Sequence, residues 1–394
     1  MMTQSSRVTP SHAVADTDCG LQLRNETEPG SKPKTIYRKL VDSLHPPLRN
    51  KTILITGGAG FLGSSLAEKV AEHNRVILFD RSFVCRSIQY TSLLRHPNIT
   101  SIQGSIVDAD LRSLVEDVDI VVHAASIDGV NGIRDSAQRT LETNYVGTSR
   151  LLKALGAARK IQRFVYISTC DVLAMNSYPV DEINGPCIRP IPELRWNAAI
   201  SKLASEHLIA SYFRETHLPT TIVRPFNVFG PRRTSDYVLR RFILNALQER
   251  PLEINGNGQQ LRSWCYIEDF CGALLQLMVR PEAVGQTFNI GNPANTLTIY
   301  ELAKKVVQLM SSTSMVRFCD SPVPENPIPI PSVDKARSLL GYEPKHDLNA
   351  GLKLTIEWHR DYCDLFQQSP QPSPTMVRGV FPDVSWTAEA CAAM

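Results

Sequence analysis

The sequence predicts an α/β fold, a doubly wound parallel sheet with helices on both faces and a smaller, mixed C-terminal region. Three observations carry that expectation. Short apolar runs alternate with amphipathic stretches from residue 51 to about 167, the pattern of βαβ units. A glycine-rich turn follows the first run and opens the first helical stretch. Beyond residue 225 the alternation loosens and Pro and Gly become more frequent, which reads as a different, mixed region.

Taken in order, residues 1–46 are rich in Ser, Thr, Asp, Glu and Pro and read as a flexible N-terminal extension. Within them "TIYRKLVDSL" (35–44) has the spacing of one short amphipathic helix, broken by "HPP". "KTILITG" is a first strand, "SSLAEKVAEH" a helix and "RVILFD" a second strand. "ITSIQGSI" and "VDIVVHAAS" are further strands, with the helical "DADLRSLVED" between them. "TLETNYVGTSRLLKALGAA" reads as one long helix and "RFVYIST" as the next strand. This places a first domain over 47–225. A second region covers 226–365, interleaved with late strands of the first around 262–292. A flexible tail, 366–394, contains "QQSPQPSPT". No internal repeat is visible.

Composition narrows the class. Hydrophobic residues are 43% and charged residues 21% of the 394, ordinary for a globular chain. The net charge of +3 is small and dispersed, which argues against nucleic acid and against an anionic membrane surface. No apolar run reaches the length of a membrane span. The nine cysteines form no C-x-x-C pair, so neither a metal site nor a disulfide framework is expected. With no signal peptide visible, a reducing, cytoplasmic setting is the expectation.

"ILITGGAGFLGSSL" is the strongest motif. Gly58, Gly60 and Gly63 satisfy G-x-G-x-x-G, while Gly57, Gly60 and Gly63 satisfy G-x-x-G-x-x-G. Glycine permits the tight turn and lets backbone N–H groups approach a pyrophosphate; Phe61 and Leu62 open the helix whose positive end adds to that attraction. The second strand ends at Asp80, at the spacing of the acid that binds an adenosine ribose. A carboxylate accepts from the ribose hydroxyls and repels a 2′-phosphate, so the cofactor expected of this Rossmann-type domain is NAD. Arg81, beside it, is the residue that would favour the phosphate.

With these motifs in one order, the chain resembles the extended short-chain dehydrogenase/reductase family, in its NAD-dependent nucleotide-sugar epimerase, dehydratase and decarboxylase branch. The resemblance runs from about residue 50 to 360. It rests on "GSIVD", "VVHAAS", "ETNYVGTSRLL", "VRPFNVFGPR", "RSWCYIEDF", "FNIGNPANTLTIYELA" and "LLGYEP". It implies that Asp108 contacts the adenine, that Ala124 and Ala125 lie beside the cofactor, and that Asn144 belongs to the cofactor-side helix. It implies a substrate role for Asn227, Arg233 and Arg262 at a diphosphate. Residue chemistry alone allows other roles. Asp108 could cap the next helix, His123 could be a packed strand-end histidine, and Asn144 could hold backbone groups together.

The family's catalysts are a Ser/Thr, a Tyr and a Lys. Thr169 in "YISTCDVLA" and Lys202 in "RWNAAISK" hold two of these places. The third, four residues before Lys202 and on the same helix face, is Ala198, which cannot transfer a proton. Cys170 and Asp171 stand where dehydratases carry Asp-Glu. The literal Y-x-x-x-K, Tyr300 to Lys304, falls in the late region and reads as structural. Three residues are candidates to replace the base: Tyr178, Asp171 and Cys170.

The expected activity is modification of a nucleotide sugar by epimerisation, dehydration or decarboxylation, lyase or isomerase chemistry through a transient keto sugar, in a homodimer built on helices near 140–157 and 199–214. Two other readings stand beside it. One is a pseudoenzyme that binds NAD and a nucleotide sugar as a scaffold; the other is an oxidoreductase on a non-sugar alcohol or ketone.

Overall fold

The structure, a computed structural model, describes residues 48–84, 86–89, 91–127, 137–158, 160–173, 179–185, 196–235, 237–320 and 330–368. The expected helix at 35–44 and most of the expected tail after 366 lie outside them.

The first part alternates as the sequence predicts. Strand β1 (Thr52–Thr56) leads to α1 (Phe61–Val70), β2 (Arg75–Asp80), β3 (Ile99–Gln103), α2 (Leu111–Val115) and β4 (Ile120–His123). Then come α3 (Ala137–Leu141), a widened π turn (Glu142–Val146), α4 (Gly147–Ala157), β5 (Arg163–Ile167), α5 (Asn197–Thr216) and β6 (Thr220–Pro225). Alternate residues of β1 enter different cores: Ile53 and Ile55 pack on one face of the sheet and Leu54 on the other. The continuous apolar runs thus reflect burial on both faces, as parallel sheets require.

The later part adds β7 (Val228–Phe229), α6 (Val238–Leu247), β8 (Leu252–Asn255), β9 (Leu261–Ser263), β10 (Cys265–Tyr266) and α7 (Ile267–Val279). It ends with β11 (Thr287–Ile290), β12 (Thr296–Thr298), α8 (Ile299–Met310), β13 (Val316–Cys319), α9 (Asp334–Leu340) and α10 (Leu348–Gln368). A capping box between Thr298 and Glu301 starts α8. Strand β11 returns to the main sheet beside β6, while β7–β10, β8–β13 and β9–β12 form three small two-stranded sheets.

The main sheet has seven strands in the order β11-β6-β5-β4-β1-β2-β3, all parallel. Strand order reverses at β1, which pairs with both β2 and β4. A crevice opens beyond the carboxyl ends of the strands at such a reversal.

The predicted long helix is interrupted by the π turn, and the turn has a visible partner set. Asn144, buried inside it, accepts from the Ile127 N–H (2.8 Å) and donates to the Ile127 carbonyl (3.1 Å) and to Ser201 Oγ on α5 (3.1 Å). Its own carbonyl accepts from Thr148 Oγ1 (2.5 Å) and Ser205 Oγ (3.1 Å). One extra residue in the turn leaves this carbonyl available to side chains.

His123 packs at the end of β4 with no exposed surface. Thr148 Oγ1 donates to Asn144, so it accepts from His123 Nε2 (2.9 Å); His123 Nδ1 then accepts from Thr56 Oγ1 (2.6 Å). Burial, aided by the Lys202 charge, pushes the His123 imidazole down to about 3. Burial and the Arg240 charge hold His359, on α10, at about 4. Also buried, Arg224 on β6 grips Glu206 on α5 with two bonds (3.0 and 2.6 Å), and Ser168 adds a third (2.5 Å). No helix among the described residues is long and apolar enough to cross a membrane.

Both histidines have folded values below the unfolded value of about 6.5. Their neutral forms are full contributors to stability above that value, and the unfolded chain takes up the protons first as pH falls. Stability is expected to decline from about pH 6.5 towards about pH 3, by up to about 1.4 kcal/mol per pH unit for each histidine. Urea unfolding at about pH 7 and about pH 5 should show a smaller loss in His359→Phe than in the parent.

Candidate active site

The turn after β1 is built on close backbone approach. Gly57 has φ 69°, and a Cβ there would lie 2.7 Å from the Ala124 carbonyl carbon; a Cβ on Gly63 would lie 2.4 Å from the Gly57 oxygen. The Gly60 N–H donates to the Gly57 carbonyl (3.1 Å). Gly57 and Gly60 line the crevice, while a Cβ on Gly58 would lie 2.9 Å from the Ile55 oxygen. No side chain caps the start of α1, leaving the first-turn N–H groups for an anion. Phe61 and Leu62 pack their side chains on the core and have only their backbone to offer.

The crevice is a pocket of about 380 Å³ at the reversal of strand order. Its walls include Asp80, Arg81, Asp108, Ala124 and Ala125, five of the expected cofactor residues. Asp80 accepts from the Ala59 N–H (3.0 Å) and the Ser82 N–H (3.2 Å), which ties the glycine turn to the end of β2. Burial raises the Asp80 carboxyl above the ordinary aspartate value, opposed by those backbone bonds and by Arg81. Asp108 is exposed on the wall. The capping alternative falls to its neighbour Asp110, which accepts from the Arg112 N–H and the Ser113 hydroxyl.

Two expected site residues have their side chains engaged elsewhere. Asn144 is absent from the pocket walls, and its carboxamide is spent on Ile127 and Ser201. It braces the wall residue Ile127 rather than reaching a cofactor. Cys170 is 5% exposed and packed with Val172, Leu173, Val180 and Phe226, apolar surroundings that disfavour an ionised thiol. Tyr178 lies outside the described residues.

At the end of β5 three candidates converge. Lys202 is buried; its Nζ donates to the Ile167 carbonyl (2.6 Å) and lies 4.8 Å over the Tyr166 ring. Two residues beyond Ile167, the Thr169 hydroxyl donates to Asp171 Oδ2 (3.1 Å) and accepts from the Asp171 N–H (3.2 Å). Asp171 is exposed. Ala198, on the first turn of α5, is 8% exposed and offers nothing beyond a methyl group.

The expected substrate residues sit on neighbouring segments after β6. Asn227, at φ 37°, donates to the Ser263 carbonyl (3.0 Å), next to Arg262, whose guanidinium donates to the Leu261 carbonyl (2.8 Å). Arg233 bonds the Val228 carbonyl and stacks 4.0 Å from the Tyr237 ring centre. Tyr300 and Lys304 lie on α8, the lysine 5.3 Å over its ring, with Tyr300 packed on Phe318. Ser105, Ser126, Arg139 and Thr143 are among the wall residues that sequence reasoning missed. Arg139 and Thr143 are four apart, a spacing that puts them on one helix face, and Thr143 directly precedes Asn144.

The pocket fits NAD. The glycine turn leaves room that a Cβ would fill, the helix start is uncapped, and a carboxylate closes the second strand. Because burial raises Asp80, NAD affinity should weaken on acidification at a higher pH than an ordinary aspartate would give, as the carboxylate is the form that accepts from ribose hydroxyls. Asp80→Ala should cost about 1.5–3 kcal/mol, roughly ten- to a hundredfold in Kd, and abolish that pH dependence. Titration calorimetry across the acid range checks both.

Comparison with known proteins agrees with this geometry. The model of the NAD dependent epimerase/dehydratase family matches residues 53–291, more than half of the chain. The UDP-N-acetyl-alpha-D-glucosaminuronate decarboxylase of Bacillus cytotoxicus is 33% identical, over 79% of this chain and 98% of its own length. UDP-glucuronic acid decarboxylase 4 of Arabidopsis thaliana is 32% identical, over 82% of this chain and 71% of its own. Among solved structures, an epimerase from Methanothermobacter thermautotrophicus superposes with a TM-score of 0.74 at 27% identity, covering 86% of this chain and 99% of that one. The UDP-glucuronic acid 4-epimerase of Bacillus cereus, in complex with UDP-glucuronic acid and NAD, gives 0.71 at 28%, covering 79% and 99%. The family match over residues 53–291 and these relatives, together with the seven-stranded parallel sheet and its crevice, make the chain a member of the NAD dependent epimerase/dehydratase family.

Proposed function

We propose that the protein converts a nucleotide-linked sugar, with a nucleotide uronate as the favoured class, by epimerisation, dehydration or decarboxylation through a transient keto sugar. The observation that carries this reading is the Thr169–Asp171 hydroxyl–carboxylate pair at the end of β5, two residues from the carbonyl that Lys202 binds. Relatives named for UDP-uronate decarboxylation and epimerisation support the substrate class.

In this reading Gly57, Gly60 and the first-turn N–H groups of α1 hold the cofactor pyrophosphate, and Asp80 holds the adenosine ribose. When bound, NAD supplies a hydride acceptor. Thr169 bonds the reacting oxygen of the sugar. Lys202 keeps a positive charge beside it, favouring the form that has lost a proton. Asn227, Arg233 and Arg262 serve the diphosphate, since guanidinium groups suit phosphate oxygens. A reducing, cytoplasmic setting suits the thiols of Cys265, Cys271 and Cys319.

Ala198 favours a second reading, a protein that binds NAD and a nucleotide sugar without turning it over. Mass spectrometry of the NAD-loaded protein with a panel of nucleotide sugars and nucleotide uronates separates the two. Loss of water or carbon dioxide, or a new isomer on chromatography, is the expected result. Bound NAD with an unchanged panel would move the second reading ahead.

A homodimer belongs to the proposal. Leu141, Tyr145, Val146 and Ile200 are exposed on the helices expected to pair, and a charge there should oppose association. Sedimentation should give a dimer for the parent, and Val146→Asp should shift it to monomer.

A further inference from the structure

Resting on the nucleotide-sugar reading, the geometry points to Asp171, acting through Thr169, as the proton acceptor that replaces the family's tyrosine. The hydrogen bonds around Thr169 Oγ1 fix its capacity. A hydroxyl has one proton and two lone pairs. The proton goes to Asp171 Oδ2 and one lone pair takes the Asp171 N–H. Among the described residues nothing takes the second lone pair, which is the one a substrate hydroxyl can donate to.

The neighbouring groups do not offer an equivalent. Lys202 is a donor, engaged with the Ile167 carbonyl. His123 has both ring nitrogens engaged in the buried chain. Tyr166 is fully buried, and burial raises its hydroxyl far above the usual tyrosine range. Cys170 is enclosed in apolar side chains. Glu206 is bound to Arg224 and Ser168. Asp171 is exposed and hydrogen-bonded to the Thr169 hydroxyl, two residues from the carbonyl that Lys202 binds.

The step balances. The substrate O–H bond breaks as a Thr169 Oγ–H bond forms, and the original Thr169 proton moves to Asp171 Oδ2. The electron pair of the adjacent C–H bond leaves as hydride to the nicotinamide of NAD, and the carbon–oxygen bond becomes a carbonyl. An alcohol is too weak an acid to protonate a carboxylate by itself. Loss of hydride in the same step makes its proton strongly acidic, so a carboxylate suffices as the acceptor. Return of the proton by the reverse route regenerates Asp171.

The test uses NAD-loaded full-length protein and the nucleotide sugar that the parent converts. Asp171→Asn should lower kcat about a hundred- to ten-thousand-fold, with KM and NAD affinity near the parent values. Thr169→Val should lose a similar factor, and the double variant little more, because the two act as a unit. The parent's kcat should fall at low pH as Asp171 takes a proton, and that limb should vanish in Asp171→Asn. Aspartate-labelled difference infrared spectra should show a protonated carboxyl on substrate addition to the parent and none in Asp171→Asn. Full turnover in Asp171→Asn would overturn the relay while leaving the nucleotide-sugar reading intact, as would loss of turnover in Tyr178→Phe with Asp171→Asn unaffected. A parent that binds NAD and converts nothing would overturn both.

Discussion

A continuous buried chain of hydrogen bonds joins the cofactor turn to the helix that carries Lys202. It begins at Thr56, the last residue of β1, passes through the His123 ring to Thr148, and reaches the Asn144 carbonyl and the serines of α5. Every link is desolvated, so a missing partner would leave a polar group stranded at a cost of about 1–3 kcal/mol. The chain admits one arrangement of protons: with Thr148 donating onward, His123 must carry its proton on Nε2. The position of the crevice wall follows from this order, because Thr56 Oγ1 also receives the Ala125 N–H and Asn144 holds Ile127.

A second buried feature fixes the other side of the site. Glu206 follows Lys202 by one turn of α5 and meets Arg224 on β6 and Ser168 at the end of β5. Desolvating both charges is expensive, and removing one partner from such a pair typically costs about 3–5 kcal/mol. The pair therefore acts more as a register pin than as a net stabiliser. It holds α5 against the strand ends, which brings Lys202 to the Ile167 carbonyl and leaves Thr169 two residues further along an extended backbone.

The parts of this architecture legible in the sequence were those with a local physical signature. Apolar runs of β1, β2, β4 and β5 mark burial on two faces. The glycines mark a turn where a side chain has no room. Asp80 is readable by its distance from that turn. What escaped needed the third dimension. The π turn at Glu142–Val146 has no periodicity of its own, so the helix looked unbroken. Arg139 and Thr143 belong to no motif, and only the fold shows that they line the pocket. Cys170, adjacent in sequence to two polar residues, gave no sign that its side chain enters an apolar cluster.

Ala198 carries a consequence for how such a protein can change over generations. Alanine is the best helix former, and its carbonyl still serves the chain by accepting from Ser201 Oγ (2.8 Å). None of the buried pairs that organise α5 involves the side chain at 198. Stability therefore constrains position 198 through the space around its buried methyl group and not through a polar partner. A change of side chain at this address would leave the hydrogen bonds that organise α5 in place, so the cofactor crevice and the chemistry beside it rest on separate sets of contacts.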